Sequence, residues 1–328
     1  MADGGTRIEI GLNAAIVAVQ DPTPLILAVS ARADEGSDEP EGLPSGPFDP
    51  HAHRTFEIGL RAFVKEQSAL RLGYVEQLYT FGDRGRLADS GPHTVSVGYL
   101  ALTRPHPDSA MAMDRARARW CPWYRYFPWE DWRDGRPAIL DNTLLPALDA
   151  WTREPPDAAA PPRALSREER IRLAFGLDGA RWDEEKVLDR YEILYEAGLA
   201  DEARRDGRAA ALARACRPGG LGYPMRFDHR RILATAISRL RAKLKYRPVV
   251  FELMPDTFTL TELQRTVEAI AGRHLHKQNF RRLVETTQMV EPTGESTSRT
   301  GGRPAQLFRF RREVLKERPA PGLRFGMR

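Results

Sequence analysis

Apolar residues along the chain fall into short blocks whose spacing alternates between strand-like and helix-like. Ala14 to Val19 and Leu25 to Val29 are β-rich runs separated by Asp21-Pro22-Thr23-Pro24, turn chemistry that predicts a hairpin. Arg32 to Pro50, rich in Gly, Pro and acidic residues, reads as a loop. Phe56, Leu60, Phe63 and Val64 then line one helical face, predicting a helix over about Thr55 to Arg71. Tyr74 to Phe81 and Thr94 to Leu102 read as two further strands, so the first third is mixed α and β.

Beyond Arg104 the composition shifts, and helical character resumes after the Trp-rich and Pro/Ala-rich stretches. All six tryptophans lie between Trp120 and Trp182, five of them before the Pro/Ala-rich stretch Pro155 to Pro162. The run Trp120, Trp123, Tyr124, Tyr126, Phe127, Trp129, Trp132 is expected to anchor an irregular lobe to its neighbour; stacking an adenine or forming a dimer surface are the other readings. Ser166 and Glu169 have capping-box spacing, and Trp182 to Leu199 carries Val187, Leu188, Tyr191, Leu194 and Tyr195 at helical intervals. With Asp228 as N-cap, Ile232, Leu233, Ala236, Ile237, Leu240 and Leu244 define an amphipathic helix that Pro248 ends. The tail Arg318 to Arg328 mixes Pro, Gly and Arg and is expected not to pack.

The block after Pro248 is sharply punctuated. Val249 to Leu253 reads as a strand. Thr259 and Glu262 form a second capping-box pair ahead of Leu260, Leu263, Val267 and Ile270, and Gly272 is placed to stop that helix. A tight turn leads to a helix over about His276 to Thr287 with Phe280, Leu283 and Val284 inward and Gln278, Arg281, Arg282 and Glu285 outward. A polar loop from Gly294 to Pro304 and a strand Ala305 to Phe310 complete a hairpin wing. Two helices joined by such a turn make a helix-turn-helix whose second helix can enter a major groove.

Charge sharpens that reading. The chain carries +5, but Arg273 to Arg312 holds nine Arg or Lys against three Glu, a local +6, so the remainder sums to about −1. A basic block on groove-facing elements points to double-stranded DNA, with Lys277, Gln278, Arg281 and Arg282 on the recognition helix and Arg299 and Arg303 on the wing. A protein-interaction winged helix is the competing reading. The apolar runs are brief and Met1 to Gly5 lacks an export pattern, which predicts a cytoplasmic protein and no membrane partner. Cys121 and Cys216 cannot make a thiolate cage, the Gly219-Gly220-Leu221-Gly222 run is not a phosphate loop, and neither His51/His53 nor His274/His276 is read as a metal site.

Two stretches resemble the Nudix-related transcriptional regulators of NAD metabolism. One is Tyr74-Val75-Glu76-Gln77-Leu78-Tyr79-Thr80-Phe81-Gly82-Asp83 followed by Val95 to Leu102. The other runs from Phe227-Asp228-His229 through Phe251-Glu252-Leu253, Phe258-Thr259-Leu260, Asn279-Phe280-Arg281-Arg282 and Glu291-Pro292-Thr293-Gly294 to Gly302-Arg303-Pro304-Ala305. The resemblance implies an α+β fold: a Nudix-like mixed sheet with helices over residues 1–246, interrupted by a largely helical insertion or accessory lobe at 105–222, then a winged helix-turn-helix at 247–315 and a flexible tail at 316–328.

Nudix hydrolases hold Mg²⁺ on clustered carboxylates of one helix. Setting Arg61 on the motif arginine puts His53, Ala62, Lys65 and Glu66 at the glutamate positions and Ser68 at the final glycine, with Gly46 one residue out of register. Ala62 offers no ligand and Lys65 would repel the cation. The resemblance therefore implies no catalytic residues, no metal and no required cofactor, with ADP-ribose, NAD or ATP as effector at Arg32, Arg61, Lys65, Glu66, Phe81 and Arg86. It further implies a repressor of NAD synthesis or salvage genes, and because a helix-turn-helix monomer buries little and paired half-sites mirror a two-fold axis, a homodimer is expected. The alternative is an active hydrolase of a nucleoside diphosphate derivative using Glu57, Glu66 and Glu76.

Overall fold

The computed structural model describes residues 8–30, 40–68, 70–82, 93–155, 164–214, 220–298, 304–317 and 322–323. Arg32, Arg86, Cys216, Arg299 and Arg303 therefore lie outside the described residues.

The expected hairpin forms from β1 (Ile8–Gln20) and β2 (Thr23–Val29), antiparallel, with Gln20 opposite Thr23 and Asp21 at φ 48° in the turn. Next come β3 (Ser45–Pro47), α1 (Phe56–Ser68), β4 (Val75–Phe81) and β5 (His93–Leu102). Then follow α2 (Ala110–Arg115) and β6 (Ala118–Pro122). The sheet order is β4-β5-β1-β2-β6, with β3 also on β1. β1 runs parallel to β5, Ile8 opposite His93 through Val17 opposite Leu102, and the other pairs are antiparallel, so the sheet is mixed.

β1 is central and covered on both faces, which is why Leu12 to Ala18 are buried without a break. Leu12, Ala14 and Ile16, with Leu27, Val97, Tyr99 and Ala101, face Leu60 and Val64 of α1. Ala15, Val17, Ile26, Ala28, Leu100 and Leu102 face the opposite layer. That layer is built on α8, reached through α3 (Leu145–Thr152), α4 (Arg167–Phe175), α5 (Val187–Glu196), α6 (Asp201–Arg205) and α7 (Ala209–Leu212); α8 itself spans His229–Leu244. Its Ile232, Leu233, Ala236, Ile237 and Leu240 are buried in the same cluster.

The lobe between β5 and α8 is mostly helical, but it does not stand apart. β6 extends the sheet beside β2, and Trp123, Tyr126, Phe127 and Trp129 are fully buried in the core shared with α8. Ser166 and Glu169 form the anticipated reciprocal cap of α4, closed by Gly176 at φ 65°. Asp228 stands at the N-cap of α8, but no side-chain cap bond forms there.

The C-terminal elements are α9 (Leu260–Ala271), α10 (Lys277–Thr287), β7 (Val290–Thr297), β8 (Ala305–Phe310) and α11 (Val314–Glu317). Leu263, Val267, Ile270, Phe280 and Val284 fill the space between them and belong to the same contiguous core as α8. Thr259 and Glu262 cap α9 reciprocally, and Gly272 ends it at φ 72°. Thr259→Ala is expected to cost about 1 kcal/mol by removing the hydroxyl that accepts from the Glu262 amide. Chemical denaturation measures this, and an unchanged midpoint would contradict it.

Three expectations are corrected. Val249–Leu253 is a 3₁₀ helix packed on α8 and α9, with Val249, Val250 and Leu253 buried; the third strand position of the wing is taken by Phe258, bonded both ways to Phe308. Gly294 to Thr297 is not loop but the second half of β7, admitted by a bulge between Pro292 and Ser296 with Gly294 at φ 86°. In the tail, Leu323 is buried and its amide donates to the Leu244 carbonyl (3.0 Å). A Cβ on Gly322 would lie 2.3 Å from the Tyr246 backbone, so only glycine permits that approach.

Candidate nucleic-acid interface and effector cleft

α10 presents Lys277, Gln278, Asn279, Arg281, Arg282 and Glu285 to solvent while Phe280 and Val284 anchor its inner face. The side chains of Lys277, Arg281 and Arg282 make no hydrogen bond or ion pair with other described residues. By contrast, Arg309 pairs with Glu291 (2.7 Å) and Arg311 with Glu317 (2.5 Å). Unpaired guanidiniums on an exposed helix face are available to bridge guanine O6 and N7 or to hold a phosphate oxygen.

The turn that sets the angle of α10 is held by Glu268, which is buried. Its carboxylate accepts from the Leu275 amide (2.8 Å) and the Gln264 amide nitrogen (2.8 Å), and its other oxygen lies 3.1 Å from His274 Nδ1. The spacing of α9 and α10 was readable in the sequence; this clasp was not, because glutamate on an amphipathic helix ordinarily signals a solvated face.

The four described residues expected at an effector site do not converge. Arg61 is engaged structurally: its guanidinium bonds Glu57 (2.9 Å) and the carbonyls of Leu72 (2.8 Å) and Gly73 (3.2 Å), tying α1 to the chain entering β4. Phe81 is buried on the other face of the sheet, where its ring lies 3.0 Å from a Cβ built on Gly98. Lys65 and Glu66 are exposed on α1. Ala62 is exposed beside them.

A cleft of about 330 Å³ opens elsewhere, on the α8 side of the sheet. Its floor is β1 and β5 (Gly11, Asn13, Thr94, Ser96), one wall is β3, and the other is Phe227, Asp228 and His229 at the start of α8. None of Arg61, Lys65, Glu66 and Phe81 lines it. Asn13 is buried to 3 % exposure, and its side chain makes no hydrogen bond with other described residues. His229 Nδ1 accepts from the Leu43 amide (2.9 Å), which fixes the ring tautomer with its proton on Nε2 and joins this wall to the segment entering β3. Phe227 is held at φ 50°, a strained value for an aromatic residue.

Behind that segment, Glu41 accepts from Tyr126 (2.5 Å) and Arg119 (2.7 Å) and faces Arg125 (3.4 Å). Burial pushes the Glu41 carboxyl up, but these hydrogen bonds and cations outweigh it and hold the group below its ordinary value; burial, then Glu41, pushes the Tyr126 hydroxyl up. The cleft was missed in the sequence because its lining residues come from four separated stretches, and none is charged apart from Glu9 and Asp228.

A mixed sheet between α1 and α8, continuing into a helix-turn-helix with a two-stranded wing, defines a Nudix-like fold carrying a winged helix. Residues 250–310 match the family model of the NrtR DNA-binding winged helix domain. The ADPR responsive transcriptional repressor NtrR of Acinetobacter baylyi is 45 % identical over 90 residues, which is 27 % of this chain and 36 % of that relative's length. Among solved structures, NrtR of Shewanella oneidensis complexed with a 27mer DNA superposes with TM-score 0.53 at 19 % identity, covering 94 % of this chain and 95 % of that one. A MutT/nudix family protein from Enterococcus faecalis gives TM-score 0.51 at 14 % identity over 93 % of this chain and 87 % of its own. At these identities the two structures establish the fold. No described helix is long and apolar enough to cross a membrane.

Proposed function

We propose that the protein is a transcriptional repressor whose winged helix binds an operator and whose Nudix-like half binds ADP-ribose without hydrolysing it. The observation that carries this reading is the exposed cation set of α10, without partners among the described residues, within the 61-residue stretch 250–310 that matches a DNA-binding winged-helix family. The related A. baylyi protein is ADPR-responsive and a repressor, which favours ADP-ribose over NAD or ATP as effector. Lys277, Gln278, Arg281 and Arg282 contact DNA, joined by Arg299 and Arg303, which lie in sequence between β7 and β8.

The effector site is read at the cleft and not at Arg61 or Phe81, whose side chains are committed to α1 and to the core. The cleft offers room for a nucleoside-sized portion, an Asn13 amide with no hydrogen-bond partner among the described residues and the amide end of a 16-residue helix, which favours negative charge. Hydrolysis is disfavoured because two of the three carboxylates it would recruit are engaged: Glu57 with Arg61, and Glu76 with Lys243 (2.8 Å). Paired operator half-sites would call for a homodimer, and the regulated genes are those of NAD synthesis or salvage, in the cytoplasm.

Gly11 provides the test of the cleft. A Cβ there meets Thr94 at 3.4 Å and Ser96 at 3.7 Å, ordinary contacts, so valine fits the strand while its methyls fill the floor. Wild type at a hundredfold excess of ADP-ribose over its Kd is expected to gain about 2.7 kcal/mol of stability. Gly11→Val should lose that gain and keep its DNA affinity; retention of the full gain would move the effector away from the cleft.

A further inference from the structure

The Trp-rich segment Trp123–Trp132 touches both halves of the molecule, and its contacts are polar, directional and buried. Tyr124 and Trp132, near its two ends, terminate α9. The last carbonyls of a helix have no partner within it, and here they are met from outside: the Ala269 carbonyl accepts from the Tyr124 hydroxyl (2.7 Å), that of Ile270 from Arg241 Nε (2.8 Å), and that of Gly272 from the Trp132 amide (2.7 Å). A Cβ on Gly272 would lie 2.4 Å from the Glu130 carbonyl oxygen, so the fit excludes every other residue.

Between those contacts, at Tyr126, the segment meets the start of α8. Arg230 donates to the Tyr126 carbonyl (2.7 Å) and the Leu221 carbonyl (2.5 Å) and faces Glu202 (3.4 Å). Glu202 also accepts from the Met225 amide (3.0 Å), and Arg205 donates to the carbonyls of Met225 (2.9 Å) and Phe227. The cleft wall at Phe227 is therefore fastened to the same lobe. Arg230 and Arg241 are eleven residues apart, three turns of α8, so both project from one face about 16 Å apart along the axis. The segment loops along that face, held at Tyr126 by Arg230 and, on either side of it, at Tyr124 and Glu130 by Arg241, both arginines buried. Glu130, fully buried, accepts from Arg190 (2.5 and 2.9 Å) and Arg241 (2.7 Å).

We propose that Trp123–Trp132 is a coupling strut, with Tyr124 and Glu130 as positioning residues that fix the helix-turn-helix relative to the cleft wall. For what it couples, the inference rests on the repressor reading; for what it positions, it does not. Segments that yield on opening need few buried contacts; this one is dense with them, so a displacement at Phe227 passes to the end of α9 as a shift of a stiff element.

The test compares the full-length wild type with Tyr124→Phe, which keeps the ring and removes only the hydroxyl, and with Glu130→Gln. Ser166→Ala, a cap lesion at the start of α4 that touches none of the strut's hydrogen bonds, is the control for general destabilisation. In the first arm, amide exchange at Trp132 and over Ala269–Leu275 is expected to rise about fivefold in Tyr124→Phe, the factor for one lost hydrogen bond, and to rise less in the control. Equal exchange in Tyr124→Phe and wild type overturns the positioning role, and Tyr124→Phe decides it should Glu130→Gln not fold. In the second arm, the ratio of Kd values for the chain's own upstream DNA duplex, with and without saturating ADP-ribose, should fall toward one in Tyr124→Phe while the thermal shift by ADP-ribose persists. An undiminished ratio overturns the coupling. If wild type itself shows no ADP-ribose response, the repressor reading fails while the exchange arm still decides the strut.

Discussion

Replacing Arg281 and Arg282 together by alanine is expected to weaken binding to the upstream duplex about a hundredfold or more, since each guanidinium that reads a base contributes about 1 to 3 kcal/mol. Both side chains are exposed on α10 and neither has an intramolecular partner among the described residues to release, so the loss falls on the complex and not on the fold. The singles separate the roles. If one arginine holds phosphate, its alanine variant weakens all sequences alike and lowers the slope of log K against log salt by about one. If the other reads a guanine, its variant relaxes preference at one position. Unaltered affinity in the double variant would remove α10 from the interface.

The second large effect is on stability. Glu130→Ala should destabilise the chain by about 3 to 5 kcal/mol, because two guanidiniums, Arg190 at 0 % and Arg241 at 1 % side-chain exposure, would remain buried without their shared carboxylate. Arg190 also donates to the Ala174 and Asp183 carbonyls and stacks over Trp182 at 3.9 Å, so it cannot swing out to water. Urea denaturation followed by tryptophan fluorescence reads the loss. A change under 1 kcal/mol would mean that the backbone carbonyls alone satisfy both cations.

These two sites differ in how far the sequence discloses them. The winged helix was legible almost residue by residue, because the Thr259/Glu262 box, the Gly272 stop and the Phe280/Val284 stripe are local signals, and the structure keeps each of them. Four strands of the sheet were legible for a related reason: β1 and β2 are joined by a two-residue turn, and the helices covering both faces leave long apolar runs; β3, inside the stretch Arg32 to Pro50 read as a loop, and β6, inside the lobe, are too short to show. Val249–Leu253 misled because a short apolar run has no period of its own, and packing on α9 chose the helical turn.

The lobe was opaque because its order comes from contacts far apart in sequence. Glu130 bonds Arg190 and Arg241, separated from it by 60 and 111 residues. A lone glutamate amid tryptophans announces nothing of this. The same holds at the cleft, where Asn13, Ser45, Thr94 and His229 meet only after the sheet has closed. Resemblance to an enzyme signature drew attention to α1, and the physical enclosure lies on the opposite face of the sheet.

The most direct test is one titration: fluorescence anisotropy of the chain's own upstream duplex, at low and moderate salt, with and without ADP-ribose. A repressor of this design binds tightly at low salt, loses affinity steeply as salt rises, and changes affinity when ADP-ribose is added. No retention of the duplex at low salt, or binding that ignores ADP-ribose at every salt concentration, would contradict the account.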